Sequence, residues 1–251
     1  IRTLPYVTSW YEKYKDQGLV IVGVHTPEFD FERRTENVRD AIKRYKITYP
    51  VAQDNDYATW QAYENRYWPA KYLIDQSGQI VYTHFGEGKY EETENQIRKL
   101  LGLSGQADTA EDKRSMAKTP EIYFGLLRQE FFASQTPPAP KATVYEFPDH
   151  IPANHFSLEG EWRFEKEFAE LVGPSGKIGL NFYASKVHLV AESKHGKPIK
   201  VRVTVDGVMR RELEIAGADL YTLAELEKPG EHILEIEVLS PGLLVFTFTF
   251  G

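Results

Sequence analysis

The sequence predicts an α/β domain followed by an all-β antiparallel sandwich, and three observations carry that expectation. Helix-period and strand-like segments alternate from Leu4 to Gly102. Within them, Tyr67-Trp68-Pro69 leads straight into the apolar run Ala70-Lys71-Tyr72-Leu73-Ile74, and a Ser77-Gly78 turn returns the chain as Ile80-Val81-Tyr82-Thr83-His84-Phe85. From Thr143 onward the rhythm changes to period two. The expected boundaries are 1–103 for the first domain, 104–118 for a linker and 119–251 for the sandwich.

A chain of 251 residues suits two domains at roughly 100 to 200 residues each. A formal net charge of −7 argues against general affinity for nucleic acid or anionic membrane, since phosphates would go unneutralised. No apolar run approaches the roughly 20 residues that span a bilayer. The cysteine count is zero, which suits a stable secreted domain as well as a cytosolic one and leaves the compartment open. The first residue is Ile1, so the chain is expected to be a fragment of a longer protein.

In chain order, Leu4, Val7, Trp10 or Tyr11, and Tyr14 recur at helical spacing, and Gly18 ends that helix. The β-branched run Leu19 to Val24 reads as a strand covered on both faces, the central strand of the domain. His25-Thr26-Pro27-Glu28 breaks it. Val38, Ala41, Ile42 and Tyr45 mark a second helix, Tyr49 to Ala52 a short strand, and Asp54-Asn55-Asp56 caps a helix carrying Tyr57, Trp60 and Tyr63. After the hairpin, Glu91, Glu92 and Glu94 open a last helix striped by Ile97, Leu100 and Leu101, and Gly102 closes it.

Ser104 to Lys118 is polar, a linker. Ile122 to Leu127 is a short ordered piece, and the prolines between Gln135 and Pro140 keep that stretch extended. Val201, Val203 and Val205 alternate with polar residues up to the hairpin turn Asp206-Gly207, as do Leu213 and Ile215 after it. Leu234, Ile236, Val238 and Phe246, Phe248, Phe250 repeat the pattern. Many short strands separated by turns argue for a sandwich.

The proline-headed strand Tyr-Leu-Ile-Asp, with turn, strand and closing helix after it, resembles the second half of a thioredoxin-like fold, most closely its TlpA and DipZ branch. The segment Thr119-Pro120-Glu121-Ile122-Tyr123 resembles that branch too, and its C-terminal region resembles a carbohydrate-binding jelly roll. The resemblance implies a cis proline at Pro69 facing a Cys-x-x-Cys pair, with the first strand and that pair lying just before Ile1. It implies thiol-disulfide exchange with disulfide-containing protein substrates, outside the cytoplasm, with no cofactor beyond the dithiol. It further implies a membrane-embedded electron-transfer domain upstream.

Five residues are candidates for function. Pro69 lacks a backbone donor, and a cis proline of the thioredoxin kind leaves the preceding residue free to bind an extended substrate; the plainer reading is an edge-strand proline. Glu28 follows the expected central strand at its C-terminal end, where α/β sheets place their sites. The resemblance makes it a proton relay for the dithiol, against the plainer reading of a solvated acid beside Asp30 and Glu32. Trp68 and Tyr67 form an apolar wall over the substrate or simply pack. Tyr183, on the polar phase opposite Phe182, is the candidate for stacking on a sugar, with Trp162, Phe164 and Tyr221 as further aromatics. Gly86-Glu87-Gly88-Lys89 and Gly173 to Lys177 lack the spacing of phosphate loops, and His150 and His155 beside Asp149 lack zinc spacing. The alternative to a redox function is a redox-inactive binding module that recruits a protein or glycan.

Overall fold

The structure, a computed structural model, describes residues 2–108 and 117–251. The chain divides into two compact units, Ile1–Asp112 and Lys113–Gly251. Much of the predicted linker, residues 109–116, lies outside the described residues.

In the first unit, α1 (Leu4–Tyr14) starts with a proline in its first turn, where the missing N–H costs nothing. Its buried Trp10 and Tyr14 pack on Tyr90 and Ile97 of α4 (Tyr90–Leu100), with Leu19, Leu73 and Leu101 around them. Gly18 closes the following turn in the left-handed region. Between these helices lie β1 (Gly23–His25), α2 (Thr35–Arg44), β2 (Val51–Gln53), α3 (Ala58–Ala62), β3 (Ala70–Ile74) and β4 (Ile80–Phe85). The hairpin of β3 and β4 forms as expected, with Ala70 opposite Phe85 and the Asp75 carboxylate holding the Ser77 and Gln79 amides of the turn.

One expectation needs correction. The run Leu19–Val24 is not a strand covered on both faces. Only Gly23–His25 is strand, it pairs in parallel with β2 alone, and Val20, Val22 and Val24 are 80%, 58% and 45% exposed. β1–β2 and β3–β4 are separate two-stranded sheets among the described residues. A β-branched run reports that a segment suits a doubly covered strand; whether neighbours are there to cover it is a separate matter.

The second unit is the antiparallel sandwich. After β5 (Ile122–Tyr123) and β6 (Thr143–Tyr145) come β7 (Phe156–Phe164), β8 (Ala169–Ser193), β9 (Ile199–Val205), β10 (Val208–Ile215), β11 (Asp219–Val238) and β12 (Leu243–Phe250). They bond into one eight-stranded sheet in the order β10-β9-β11-β8-β12-β5, with β7 branching from β8 and β6 pairing with β7. The long strands make the layers: β8 pairs with β7 through Phe156–Leu180 and its neighbours, then with β12 from Val187 onward, while bulged β11 follows it on the other side. One core results, from Ile122 and Phe124 through Trp162, Leu180 and Val203 to Phe248.

Asp206-Gly207 forms the predicted turn, both residues at positive φ, and edge strand β10 carries Arg210, Arg211, Glu212 and Glu214 on its solvated length. In β12 the alternation has a different meaning from the expected one. Thr247 and Thr249 are buried along with the phenylalanines, so both faces of β12 are covered, and the Thr247 hydroxyl donates to the Ile122 carbonyl.

Candidate functional site

The loop that leaves β1 and the entrance of β3 meet at one hydrogen bond. The Trp68 indole Nε1 donates to the Thr26 carbonyl over 3.1 Å. Trp68 also lies against Trp60 of α3, ring centroids 4.2 Å apart. The Trp68–Pro69 peptide is cis, and the Pro69 carbonyl accepts the Gly86 amide at 2.8 Å, which closes the open end of the hairpin. Pro69 thus stands at a strand entrance, tied to the end of β4 by its own carbonyl and linked to the loop after β1 by the indole of its neighbour Trp68.

Asp54 fastens that loop. Its carboxylate accepts the Thr26 hydroxyl at 3.1 Å and the Thr59 and Trp60 amides at 2.9 and 2.8 Å, and its own amide donates to the His25 carbonyl. Burial pushes the Asp54 carboxyl up, but the amides and the hydroxyl outweigh it and hold the pKa below the usual range. The Tyr57 hydroxyl donates to the Pro27 carbonyl. One buried acid therefore sets both the β1 exit and the helix under Trp60.

Of the predicted residues, the structure brings Trp68 against the loop that carries Glu28, two positions beyond Thr26. The Glu28 amide is bound by the Glu32 carboxylate at 2.6 Å. Trp68 and Tyr67 are 44% and 54% exposed, and Tyr67 leans on Phe85 at 5.2 Å. These two aromatics form an accessible rim just ahead of Pro69.

The aromatics of the sandwich divide differently. Trp162 and Phe164 are fully buried and are corrected here to core residues; the Tyr221 hydroxyl is spent on the backbone of the Ala216–Gly217 turn. Tyr183 is partly buried opposite the sealed Phe182, and the Lys118 ammonium sits over its ring at 4.4 Å. Among the described residues no group of three metal-ligating side chains comes together.

The sequence marks Asp54 as a helix cap and Trp60 as a residue of that helix, but it does not tie either to the site; Thr26 carries no signal, and Glu32 reads only as a neighbouring acid. The cap signal at Asp54 was readable; its bond to Thr26, 28 residues away, was not.

The family profile described as thioredoxin-like C-terminal domain matches residues 119–251, and the Redoxin profile matches residues 1–101. Protein DipZ of Mycobacterium tuberculosis (strain CDC 1551 / Oshkosh) is 35% identical over 266 residues, covering 100% of this chain and 36% of that protein. The chain therefore spans about a third of the length of that relative. Thiol-disulfide oxidoreductase YkuV of Bacillus subtilis (strain 168) is 31% identical, covering 39% of this chain and 66% of that protein. A solved thioredoxin-like protein in the oxidized form shares 30% identity with a TM-score of 0.38, covering 40% of this chain and 67% of that chain.

Proposed function

The chain belongs to the thioredoxin-like proteins that join a redoxin domain to this C-terminal domain, and on that premise we propose that it is the substrate-binding part of an extracytoplasmic thiol-disulfide oxidoreductase. The observation that carries the reading is the Trp68–Thr26 bond, which sets the proline-headed strand entrance against the loop of Glu28. On this reading the chain preceding Ile1 supplies a strand between β1 and β3, covers Val20, Val22 and Val24, and ends in a Cys-x-x-Cys pair facing Pro69.

The chemistry follows from that placement. A thiolate of the pair attacks a substrate disulfide, the substrate S–S bond breaks, a mixed disulfide forms and the departing sulfur takes a proton. The partner cysteine then displaces the second substrate thiol, so two electrons and two protons pass from dithiol to substrate. Pro69, with no amide hydrogen, Trp68 and Tyr67 receive the extended substrate backbone. Glu28 raises the thiol pKa by like charge and passes the proton. A membrane-embedded electron donor ahead of the chain restores the dithiol, and the location is outside the cytoplasm, where protein disulfides persist.

Residues 1–251 contain no cysteine and so no thiol nucleophile of their own. The test is thiol counting by alkylation and intact mass on the natural protein, including the residues ahead of Ile1, before and after reduction. Two thiols that appear only on reduction and map just upstream of Ile1 are expected. No thiols in either state overturns the redox reading and leaves a binding scaffold.

A further inference from the structure

We propose that Glu32 is a positioning residue for the Trp68–Pro69 edge, acting through the backbone of the loop that runs from His25 to Glu32. Its functional meaning rests on the redox reading above; its structural content does not.

The loop is clasped twice by the same residue. His25 Nε2 lies 3.0 Å from the Glu32 carbonyl. A carbonyl only accepts, so Nε2 carries the proton and donates. The Glu32 side chain then folds back into the loop, and Oε2 accepts the Glu28 amide at 2.6 Å and the Phe29 amide at 3.5 Å. Stacked, buried Phe29 and Phe31, 5.7 Å apart, anchor the loop on either side of that fold. What remains between His25 and Glu28 is Thr26-Pro27, held from outside by Asp54 and Tyr57. The Thr26 carbonyl, the acceptor for the Trp68 indole, is therefore aimed by a segment pinned at both ends.

A carboxylate in this place is not a casual surface cap. Burial pushes the Glu32 carboxyl above the usual range, and nearby Glu28 adds to that, while the Glu28 and Phe29 amides and His25 work against it. The acid gives up solvation for two amide bonds, which fits a part whose geometry matters. Releasing the Glu28 amide would free ψ and φ on either side of Pro27 and let the Thr26 carbonyl turn from the indole.

The experiment uses the 251-residue chain and reads hydrogen exchange of the four tryptophan indole N–H groups by NMR. In Glu32→Ala the Trp68 indole is expected to exchange at least tenfold faster, with Trp10, bonded to Glu94 in the same unit, unchanged. Glu32→Gln keeps an acceptor at the same reach and should stay within twofold of the parent. Glu32→Asp, one methylene short, should accelerate Trp68 alone and decides the matter if the alanine variant does not fold. An unaltered Trp68 indole in the alanine or aspartate variant, or equal acceleration at Trp10, overturns the proposal. Thiol counting that finds no dithiol would sink the redox reading and leave this result standing.

Discussion

The Glu94 carboxylate, 1% exposed, accepts the Tyr14 hydroxyl over 2.6 Å and so joins the last helix of the first unit to its first. The same carboxylate takes the Trp10 indole N–H at 3.1 Å and the Lys13 ammonium at 3.0 Å. Glu94→Ala leaves Trp10 and Tyr14 donors without an acceptor in an apolar contact, and is expected to cost the unit about 3 kcal/mol. Glu94→Gln retains one acceptor oxygen and should cost roughly half as much. Urea unfolding followed by tryptophan fluorescence checks the order; equal stability of all three proteins would contradict it.

Asp54 holds two α3 amides and the Thr26 hydroxyl together. Asp54→Ala should lower stability by about 1 to 2 kcal/mol, the range for losing a helix cap. It should also weaken the near-ultraviolet circular dichroism that the Trp60–Trp68 pair produces at 4.2 Å. A variant that loses stability with an unchanged tryptophan signal would show that the cap and the rim are independent.

Glu170 is the buried acid of a charge network, 2.5 Å from Arg163 Nη2 and 2.7 Å from Lys194 Nζ, with Glu165 on the far side of Arg163 at 3.2 Å. Burial pushes its carboxyl up, but the hydrogen bonds from Lys194 and Arg163 and their charges outweigh it and hold the pKa below the usual range. A depressed folded-state pKa means that the contribution is complete above the unfolded value near 4.5 and is lost as pH falls through the folded value. The stability difference between the parent and Glu170→Gln should be largest near about pH 6 and shrink as the acid protonates. Urea midpoints of both proteins across the acid range measure it, and a constant gap would rule the linkage out.

Gly125 lies where the strap after β5 crosses the segment between β7 and β8. A Cβ there would stand 2.2 Å from the Glu167 carbonyl carbon and 2.5 Å from the Lys166 carbonyl oxygen. The strap cannot simply retreat, because the Leu126 and Leu127 amides donate to the Glu165 and Lys166 carbonyls. Gly125→Ala should destabilise the sandwich by about 3 kcal/mol, at the upper end for overpacking. A thermal transition equal to that of the parent would mean the strap is free to move.

Much of the fold was legible because its signals are local. The helix stripe of Leu4, Val7, Trp10 and Tyr14, the Asp206-Gly207 turn and the Pro69 hairpin each depend on residues a few positions apart, and each formed where the spacing placed it. The candidate site was legible in part. Pro69, Trp68 and Glu28 could be picked out one by one, but the groups that arrange them, Thr26, Asp54, Trp60 and Glu32, act through contacts that periodicity does not record.

By itself the sequence determined the four helices of the first unit, the Pro69 hairpin and the apolar phase of the sandwich strands, since alternation and helical spacing are properties of the chain's own geometry; it did not determine how far β1, β8 and β11 run. Only the tertiary structure decided what stands on the other face. It buried Thr247 and Thr249 beside Phe246, Phe248 and Phe250, where alternation alone would place the threonines at the surface. The physical reason is that burial is a relation between segments distant in sequence. A valine is driven out of water only where another surface arrives to cover it, and a threonine is tolerated inside where a carbonyl such as that of Ile122 accepts its hydroxyl.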